Sequence, residues 1–429
     1  MQTYSWRLSV KKGILKEIPE KGIPVWYAGG AFIFMHQESP ASPSAQQSIP
    51  IRTIYISSYV PRRCGIATFT KDLTTAMSLN TQTLVEIMAV LDDIDYLYPW
   101  EVKTRIAQHS LSDYIEAARY INRSSTTIVN LQHEFGLYGG EDGEYILSLI
   151  DALERPLVTT FHTILPEPDD HKAYIMRRII ARSAAIVAMT NESLQTLIAR
   201  YDCPPEKIVL INHGVPDFSF NGMKLHKKKL GVTAAPMILT AGLLGPGKGL
   251  EFVLDAMPNI LSKLPKAQLY IVGQTHPHII KKEGEVYRES LEERARKLGI
   301  AQAVTFVNKY LEDDELHCYF SASDFFVTAY PNLQQPTSGT LAWGIASGKV
   351  NIATPYQHAR EALQDGSGIL IKPNDSDSIA DAVISSWSHK ADMETMMHKA
   401  YTKGREMTWP SVGRQYLDLF RAVTEGGTV

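Results

Sequence analysis

The sequence has 429 residues, of which 44% are hydrophobic and 21% charged, and its formal net charge is -3. This composition is typical of a globular protein with a substantial apolar core, and the length allows two or three domains. The near-neutral charge argues against general binding to nucleic acid or other polyanions. The 3 cysteines are scattered without metal-ligand spacing, so we expect a reducing, cytoplasmic environment and no disulfide framework.

The first 50 residues differ from the rest of the chain. Residues 23–35 are apolar but fall short of the roughly 20 residues that a membrane-spanning helix needs. The region before them is long and contains Glu17 and Glu20, which is atypical of a secretory signal. Residues 37–50 are rich in Ser, Pro, Ala and Gln and are predicted to form a flexible linker. We therefore expect residues 1–50 to be an extension outside the main fold, without a transmembrane segment; a peripheral membrane contact stays open.

A regular alternation of strands and helices begins at Ile51. Strand candidates lie at 51–57, 84–90, 126–131, 157–161, 185–189 and 208–211. Helix candidates with apolar residues at helical spacing lie at 66–79, 112–122, 144–153, 173–182 and 192–200. This alternation predicts a parallel sheet with helices on both faces, spanning residues 51–216.

The alternation restarts after a polar stretch at 221–229, whose lysines are typical of a linker. Strands are predicted at 237–240, 269–272, 304–307, 325–328, 350–353 and 369–371. Helices are predicted at 250–264, 287–298, 314–320, 341–346 and 378–386. The sequence thus predicts an α/β protein with two doubly wound, Rossmann-like domains, 51–216 and 217–408, followed by residues 409–429. Ligands bind at the carboxyl ends of strands in such sheets, so the cleft between the domains is the expected site.

Two strand-to-helix loops carry groups suited to phosphate. After the first strand, Arg62 and Arg63 precede Gly65, which lets the backbone approach a ligand closely. The loop GLLGPGKG at 242–249 includes Gly247 and Lys248, which offer an accessible backbone and a point charge. Either loop could instead be an ordinary surface turn. The second loop lacks the Walker ending and the dinucleotide glycine spacing, which argues against ATP hydrolysis and against a nicotinamide enzyme.

A third candidate anion site lies where the predicted helix 341–346 begins. Ser338, Gly339 and Thr340 stand at this strand–loop–helix junction. Free backbone N–H groups and the positive end of the helix dipole meet there, which favours a phosphate or another anion. The alternative interpretation is an ordinary capped helix of an α/β domain.

Other polar side chains also follow predicted strands. His162 and Glu134 occupy such loops, where binding groups concentrate. Glu134 is a candidate base or a ligand for an acceptor hydroxyl, and its alternative is a solvated acid. Asp92, Asp93 and Asp95 form an acidic loop; hydrated surface charge explains it better than a metal, because no rigid ligand set is visible.

The motifs resemble, in kind and in order, those of glycosyltransferase family 4, the retaining nucleotide-sugar transferases with the two-domain fold called GT-B. The resemblance extends from Ile51 to the C-terminus. It rests on PRRCGIATFTKDL at 61–73, LQHEFGLYGG at 131–140, TTFHTILPEP at 159–168, INHGVPD at 211–217, GLLGPGKGLE at 242–251, YIVGQ at 270–274 and SGTLAWGIASGK at 338–349. The sequence TWPSVGRQYLDLF at 408–420 resembles the family's last helix, which crosses back to the first domain.

The resemblance implies roles for the matching residues. Gly65 would meet the donor phosphate, Lys248 would neutralise the leaving diphosphate, and His162 would lie near the transferred sugar. The other residues of the implied donor site are Arg62, Arg63, Gly247, Gly273, Ser338, Gly339 and Thr340. A helix dipole and basic groups would stabilise the leaving nucleotide electrostatically, so the resemblance implies neither a metal nor a cofactor.

The sequence departs from the family pattern at three positions. Leu243 replaces the usual arginine five positions before the lysine. Gln335 and Trp343 stand where the family has a pair of glutamates. Gln335 could still bind a sugar hydroxyl, whereas Trp343 cannot accept hydrogen bonds from ribose. We expect weak ribose recognition, or its supply by another residue such as Glu361, which is equally suited to surface pairing.

These inferences favour a metal-independent hexosyltransferase. It would move mannose or glucose from a nucleotide-diphosphate sugar to a sugar or glycan hydroxyl, and the resemblance implies retention of configuration. A GT-B sugar phosphorylase or epimerase would use similar loops. A non-catalytic sugar-nucleotide binding protein would explain the missing glutamates, and a structural scaffold fits the converging anion-binding loops least well.

Overall fold

The computed structural model describes residues 6–12, 23–28, 31–37, 51–79, 83–92, 94, 96–233, 235–335 and 337–426. The chain divides into two compact units, 1–50 and 51–429. Most of the predicted linker at 37–50 lies outside the described residues, as do Asp93 and Asp95 of the acidic loop.

The first unit contains three strands that the sequence analysis did not assign. They are β1 (Trp6–Lys12), β2 (Ile23–Ala28) and β3 (Ala31–Gln37). The sheet order is β1-β3-β2, and both pairs are antiparallel.

The first sheet of the second unit has seven parallel strands. They are β4 (Ile51–Ser57), β5 (Thr83–Leu91), β6 (Val102–Ala107), β7 (Ile128–His133), β8 (Leu157–Phe161), β9 (Ala185–Ala188) and β10 (Ile208–Leu210). The order is β10-β9-β8-β7-β4-β5-β6. Its helices are α1 (Gly65–Ser78), α2 (Leu111–Arg123), α3 (Tyr145–Ala152), α4 (Asp170–Arg182) and α5 (Asn191–Tyr201).

Strand β6 is absent from the sequence-based prediction. It forms one edge of the sheet, and two of its residues, Lys103 and Arg105, are exposed. Charged residues on an edge strand weaken the apolar pattern by which strands are recognised, while they protect the edge from pairing with other chains.

The second sheet has six parallel strands. They are β11 (Met237–Ala241), β12 (Gln268–Val272), β13 (Val304–Val307), β14 (Phe325–Thr328), β15 (Val350–Ala353) and β16 (Gly368–Leu370). The order is β13-β12-β11-β14-β15-β16. Its helices are α6 (Met223–Lys229), α7 (Leu250–Lys263), α8 (Pro277–Glu283), α9 (Val286–Lys297), α10 (Asp313–Ala322), α11 (Gly339–Ala346), α12 (Gln357–Leu363), α13 (Ser376–Ser388) and α14 (Lys390–Gly404).

The prediction of a linker at 221–229 is wrong, because α6 occupies most of it. Lys227 of this helix places its Nζ 2.6 Å from Oδ2 of the buried Asp324. A run of lysines gives no helical apolar pattern, but this ion pair anchors the helix to the start of β14. Helices α8 and α14 were also not predicted.

Each of the two parallel sheets has a point where the strand order reverses. In the first sheet it lies between β4 and β7, and in the second between β11 and β14. The crevice outside the carboxyl ends of the strands at such a point is where open parallel sheets bind ligands. The loops that follow these strands therefore define the expected site.

The last helix, α15 (Trp409–Thr424), crosses back to the first domain. The Tyr416 hydroxyl lies 2.9 Å from the Thr160 hydroxyl of β8, and a Cβ at Gly413 would lie 2.9 Å from the Cβ of Ala76 on α1. This docking and the two parallel sheets confirm the predicted architecture. In the described part of the chain, no helix combines the length and the apolar character needed to cross a bilayer.

Candidate functional site

A cavity of about 220 Å³ opens between the two domains, at the carboxyl ends of their strands. Gly65, Phe69 and Asp72 of α1 line it from the first domain. The second domain contributes Gly242, Leu243, Gly273, Tyr310, Asp313, Gly339, Thr340 and Trp343, among others. The predicted phosphate-binding loops thus meet in one place.

The start of α11 forms one wall of this cavity. Ser338 caps the helix by accepting a hydrogen bond from the Leu341 N–H at 3.3 Å. The Ser338 N–H donates to Nδ1 of His358 at 2.9 Å. Burial lowers the pKa of His358 to about 3, so its ring is a neutral acceptor that fixes the loop. The positive end of α11, with Gly339 and Thr340, is thereby held at the cavity.

The glycine-rich loop after β11 packs against the loop after β12. A Cβ at Gly273 would lie 2.0 Å from the Gly242 carbonyl oxygen, and both residues have positive φ angles. Only glycine permits this approach of two backbones. Gly247 lies in a short 3-10 turn, where a Cβ would meet open space.

Lys248 lies beside the 220 Å³ cavity, and is not part of its wall. Its Nζ stands 4.5 Å from the ring centroid of Tyr330. Lys248, Tyr330, Gly242 and Leu243 line a small adjoining space, and the last two also line the main cavity. Lys248 therefore lies next to the part of the cavity wall that Gly242 and Leu243 form.

The two arginines of the first loop point to different partners. Arg62 pairs with Asp92, with Nε 3.2 Å from Oδ2, and donates to the Val90 carbonyl. Arg63 reaches across the cleft, where Nη1 lies 3.5 Å from Oε1 of Gln274. Of the two, Arg63 is placed for a ligand in the cleft, and Arg62 braces its own domain. Gly65 is exposed, and a Cβ there would meet nothing within 4 Å.

Neither His162 nor Glu134 is part of the cavity wall, although His162 packs against the wall residue Phe69. The His162 ring meets the edge of Phe69, with centroids 4.9 Å apart, and its Nε2 lies 2.8 Å from Oε1 of Gln132. Burial, followed by two neighbouring histidines, lowers the pKa of His162 to about 3. Glu134 accepts hydrogen bonds from Thr163 Oγ1 at 2.7 Å and from its neighbouring backbone N–H, and burial raises its pKa.

Trp343 and Gln335, which stand where the family has glutamates, and Glu361, the expected substitute, have different surroundings. Trp343 lines the cavity, is 8% exposed, and packs against Phe218 and Phe320. The Gln335 side chain donates to the Thr337 carbonyl at 2.8 Å and so ties down its own loop. Glu361 lies outside this cavity and accepts hydrogen bonds from Asn191 at the start of α5. The expectation that Glu361 supplies the ribose contact does not fit that placement.

Sequence reasoning missed a charged group at the lip of the cleft. Lys71 Nζ lies 3.1 Å from an oxygen of Asp72 and 3.1 Å from Asp313 on α10. Burial, and then the nearby Asp313, raise the pKa of Asp72 to about 6. Thr68 adds a hydroxyl contact with Tyr310 at 3.3 Å. The signal was present, because Gly65, Thr68 and Asp72 are spaced along one face of α1.

One group of side chains elsewhere has distances that would suit a metal ion. In the described part of the chain it consists of Glu141, Asp142 and His171. The Lys172 ammonium already lies 3.0 Å from Asp142 Oδ1, and His171 Nδ1 lies 3.1 Å from Asp142 Oδ2. These contacts form an ion-pair network at the surface.

The fold and the cleft define a two-domain, GT-B type glycosyltransferase. Two family models match the chain in the expected order: residues 97–217 match Glycosyltransferase Family 4, and residues 235–389 match Glycosyl transferases group 1. The chain belongs to the glycosyltransferases of the family 4 type.

Relatives with assigned names are distant. An uncharacterized glycosyltransferase of Methanocaldococcus jannaschii is 22% identical over 271 residues, which cover 60% of this chain and 65% of that protein. D-inositol 3-phosphate glycosyltransferase of Rhodococcus jostii is 24% identical over 315 residues, 68% of each chain. The chain thus spans about two thirds of the length of these relatives.

Solved structures share the fold at low identity. Sucrose-phosphate synthase from Thermosynechococcus elongatus superposes with a TM-score of 0.70 at 17% identity. The match covers 88% of this chain and 100% of that one. It supports the architecture of the two sheets.

Proposed function

We propose that this protein transfers a hexose from a nucleotide-diphosphate sugar to a hydroxyl of a sugar or glycan. The observation that carries the proposal is the cleft itself, where the start of α11 faces Gly65 of the other domain across one cavity. Helix starts with accessible backbone N–H groups bind phosphate. In family 4 the donor is a nucleotide sugar, and we propose that its diphosphate binds at this point.

The reaction needs stabilisation of the negative charge that develops on the leaving diphosphate. The positive end of α11, Lys248 and Arg63 supply positive potential around the cavity. This charge is fixed in place before the reaction, so it costs little reorganisation. We therefore propose a mechanism without a metal or cofactor, with mannose from GDP-mannose or glucose from UDP-glucose as the transferred sugar, and with retention of configuration.

His162 acts in this proposal as a neutral hydrogen-bonding group. A pKa of about 3 leaves its ring uncharged at neutral pH, and Gln132 orients it. Glu134 directly follows β7, at the carboxyl end of a strand of the first sheet, and accepts a hydrogen bond from Thr163. Both residues would serve the acceptor and the transferred sugar rather than the nucleotide. We place the reaction in the cytoplasm, the setting indicated by the cysteine content.

A second candidate function is nucleotide-sugar binding without turnover. It is favoured by Trp343, an apolar side chain at the position of a family glutamate, and by Gln335, whose amide is used within its own loop. The two functions share the donor site, so they differ in turnover and not in binding.

The experiment has two stages. Calorimetric titrations with UDP, GDP, ADP and their hexose derivatives identify the base; we expect one nucleoside diphosphate to bind. The matching nucleotide sugar is then incubated with a broad panel of sugar and glycan acceptors, and products are analysed by mass spectrometry. Transfer supports the enzyme, and binding without any transfer or hydrolysis supports the second candidate. Failure of every nucleotide to bind would overturn both.

A further inference from the structure

We propose that Asp72 of α1, with Asp313 of α10, binds the ribose hydroxyls of the donor nucleotide. The inference rests on the proposed function and names a specificity residue that sequence reasoning did not find. It places the ribose contact on the wall opposite Trp343, in the first domain, so that the donor nucleotide bridges the two domains.

The chemistry of the cavity sets the direction of the nucleotide. Its phosphate end is the start of α11 with Gly339 and Thr340. Leu243, Tyr310, Leu311, Leu316 and Trp343 form an apolar and aromatic part of the remaining wall, and its polar side chains include Asp72 and Asp313. A base fits an aromatic and aliphatic surface, and phosphates fit the helix start. The ribose must then lie between them.

Ribose hydroxyls need hydrogen-bond acceptors at that point. Trp343 carries a single donor and no acceptor. Asp72 and Asp313 are the carboxylates among the described residues that line the cavity. Carboxylates are the side chains that bind ribose hydroxyls in dinucleotide-binding sheets, because they accept from both.

Asp72 is positioned for this contact. Its side chain is 13% exposed, and Lys71 Nζ contacts its Oδ1 at 3.1 Å. Within the described ranges the Lys71 ammonium is its ion-pair partner, and Asp72 lines the cavity, where a ligand hydroxyl can donate to its carboxylate. The same Lys71 holds Asp313, so both carboxylates are kept at the lip of the cleft.

The spacing along α1 agrees with the size of a nucleotide. Gly65 begins the helix, and Asp72 follows seven residues later on the same face. Seven residues of α-helix rise about 10 Å. That length is comparable to the reach from the diphosphate to the ribose and base of a nucleoside diphosphate, so one helix can meet both ends of the donor.

The test compares ribose with deoxyribose. Affinities of UDP, GDP and their 2′-deoxy and 2′,3′-dideoxy forms are measured by calorimetry for the wild type, Asp72→Asn and Asp313→Asn. For the wild type we expect the dideoxy form to bind about tenfold or more weakly, as loss of a hydrogen bond to a charged group implies. Asp72→Asn should weaken the ribonucleotide by a similar factor and abolish the discrimination. The matched control is Asp151→Asn, a surface aspartate of α3 paired with Arg178.

The outcomes distinguish a failure of the proposed function from a failure of the ribose assignment to Asp72. If no nucleotide binds, the proposed function itself fails. If a nucleotide binds and the wild type does not distinguish ribose from dideoxyribose, the inference is overturned even if a variant fails to fold. It is also overturned if Asp72→Asn weakens ribo- and deoxynucleotides equally. Melting temperatures of each variant show whether a loss of affinity is a loss of folding.

Discussion

Glu361 of α12 caps a helix that belongs to the other domain. Its carboxylate accepts hydrogen bonds from the Asn191 N–H at 2.9 Å and the Asn191 side-chain amide at 2.7 Å, and Oε2 accepts from the Glu192 N–H at 3.2 Å. Next to it, Arg360 pairs with Glu192 at 2.8 Å. These contacts join the two domains away from the donor cavity.

The first prediction follows from this cap. Glu361→Ala should lower the free energy of unfolding by about 1 kcal/mol, the usual cost of losing a helix cap. Nucleotide affinity should stay unchanged, because the carboxylate faces α5. Denaturant unfolding and calorimetry measure the two quantities, with the exposed Glu394→Ala as control. A loss of affinity at preserved stability would instead return Glu361 to the donor site.

The second prediction concerns two glycines with open space around them. A Cβ at Gly65 or at Gly247 would meet nothing within 4 Å, so Gly65→Ala and Gly247→Ala should both fold normally. Gly65 lines the cavity and Gly247 does not. We expect Gly65→Ala to weaken nucleotide binding more than Gly247→Ala, because its methyl group would keep the phosphate from the backbone. An affinity of Gly65→Ala equal to that of the wild type would remove Gly65 from the site.

The third prediction concerns Lys248. If its ammonium stabilises the leaving diphosphate, Lys248→Ala should lower kcat by about two orders of magnitude, as loss of one charge-stabilising group commonly does. Nucleotide affinity should also fall, while the melting temperature should change little. Lys228→Ala, on the exposed face of α6, is the control. Near-normal turnover of Lys248→Ala would show that the lysine serves only its contact with Tyr330.

The fourth prediction concerns Trp343. Trp343→Glu places a charge at a site that is 8% exposed and packed against Phe218 and Phe320, so it should destabilise the fold. We expect no gain in nucleotide affinity, since the pocket around the indole is aromatic. Calorimetry and thermal unfolding check both statements. A clear gain in affinity for GDP or UDP at an unchanged melting temperature would contradict the prediction.

The fifth prediction uses the raised pKa of Asp72. Hydroxyl donors favour the ionised carboxylate, so nucleotide affinity should fall as the pH drops below about 6, where Asp72 takes up its proton. The charged groups that face it are Lys71 and Asp313. Asp72→Asn should lose this component of the pH dependence between pH 5 and 7, which separates it from titration of the nucleotide's own phosphate. An unchanged profile in the variant would assign the effect elsewhere.

The same carboxyl makes a separate contribution to stability. Its pKa in the folded protein, about 6, lies above the usual value of 3.8, because burial disfavours the charged form. The folded state therefore binds this proton more tightly than the unfolded state. Stability from this group is greatest at low pH and is lost as the pH rises through 6. If ribose binds Asp72 as proposed, its hydroxyl donors would oppose that loss.

Much of the fold was determined by the sequence itself. The buried strand β9 is a continuous apolar run, β14 begins with three apolar residues, and helices such as α7 carry an apolar stripe with Gly249 before them. These patterns are local, so they specify the two alternating domains without a structure. The exceptions include β6 and α6, where charged residues interrupt the pattern and, for α6, the tertiary partner Asp324 supplies what the local sequence lacks.

The sequence also determined local features of the loops at the cavity. Glycine at positions 242 and 273 allows two backbone segments to approach closely. Ser338 stands directly before α11 and caps that helix. Such requirements act within a few residues of the chain or at the ends of neighbouring strands. They can therefore be recognised before any contact is known.

Only the tertiary structure decided which charged side chains face the cleft. Arg62 and Arg63 are adjacent in sequence, yet one pairs with Asp92 and the other crosses to Gln274. Glu361 contacts the start of α5 and does not line the cavity where it was expected. Asp72 of α1 lines that cavity, although the sequence did not predict it. A long side chain on a loop or helix can take a partner that comes near only after folding. The hydrogen-bond acceptors Val90 of Arg62 and Gln274 of Arg63 are 28 and 211 positions away in the sequence. Local sequence patterns carry no information about contacts between residues so far apart in the sequence. The partner of each charged side chain is therefore fixed only when the two domains pack.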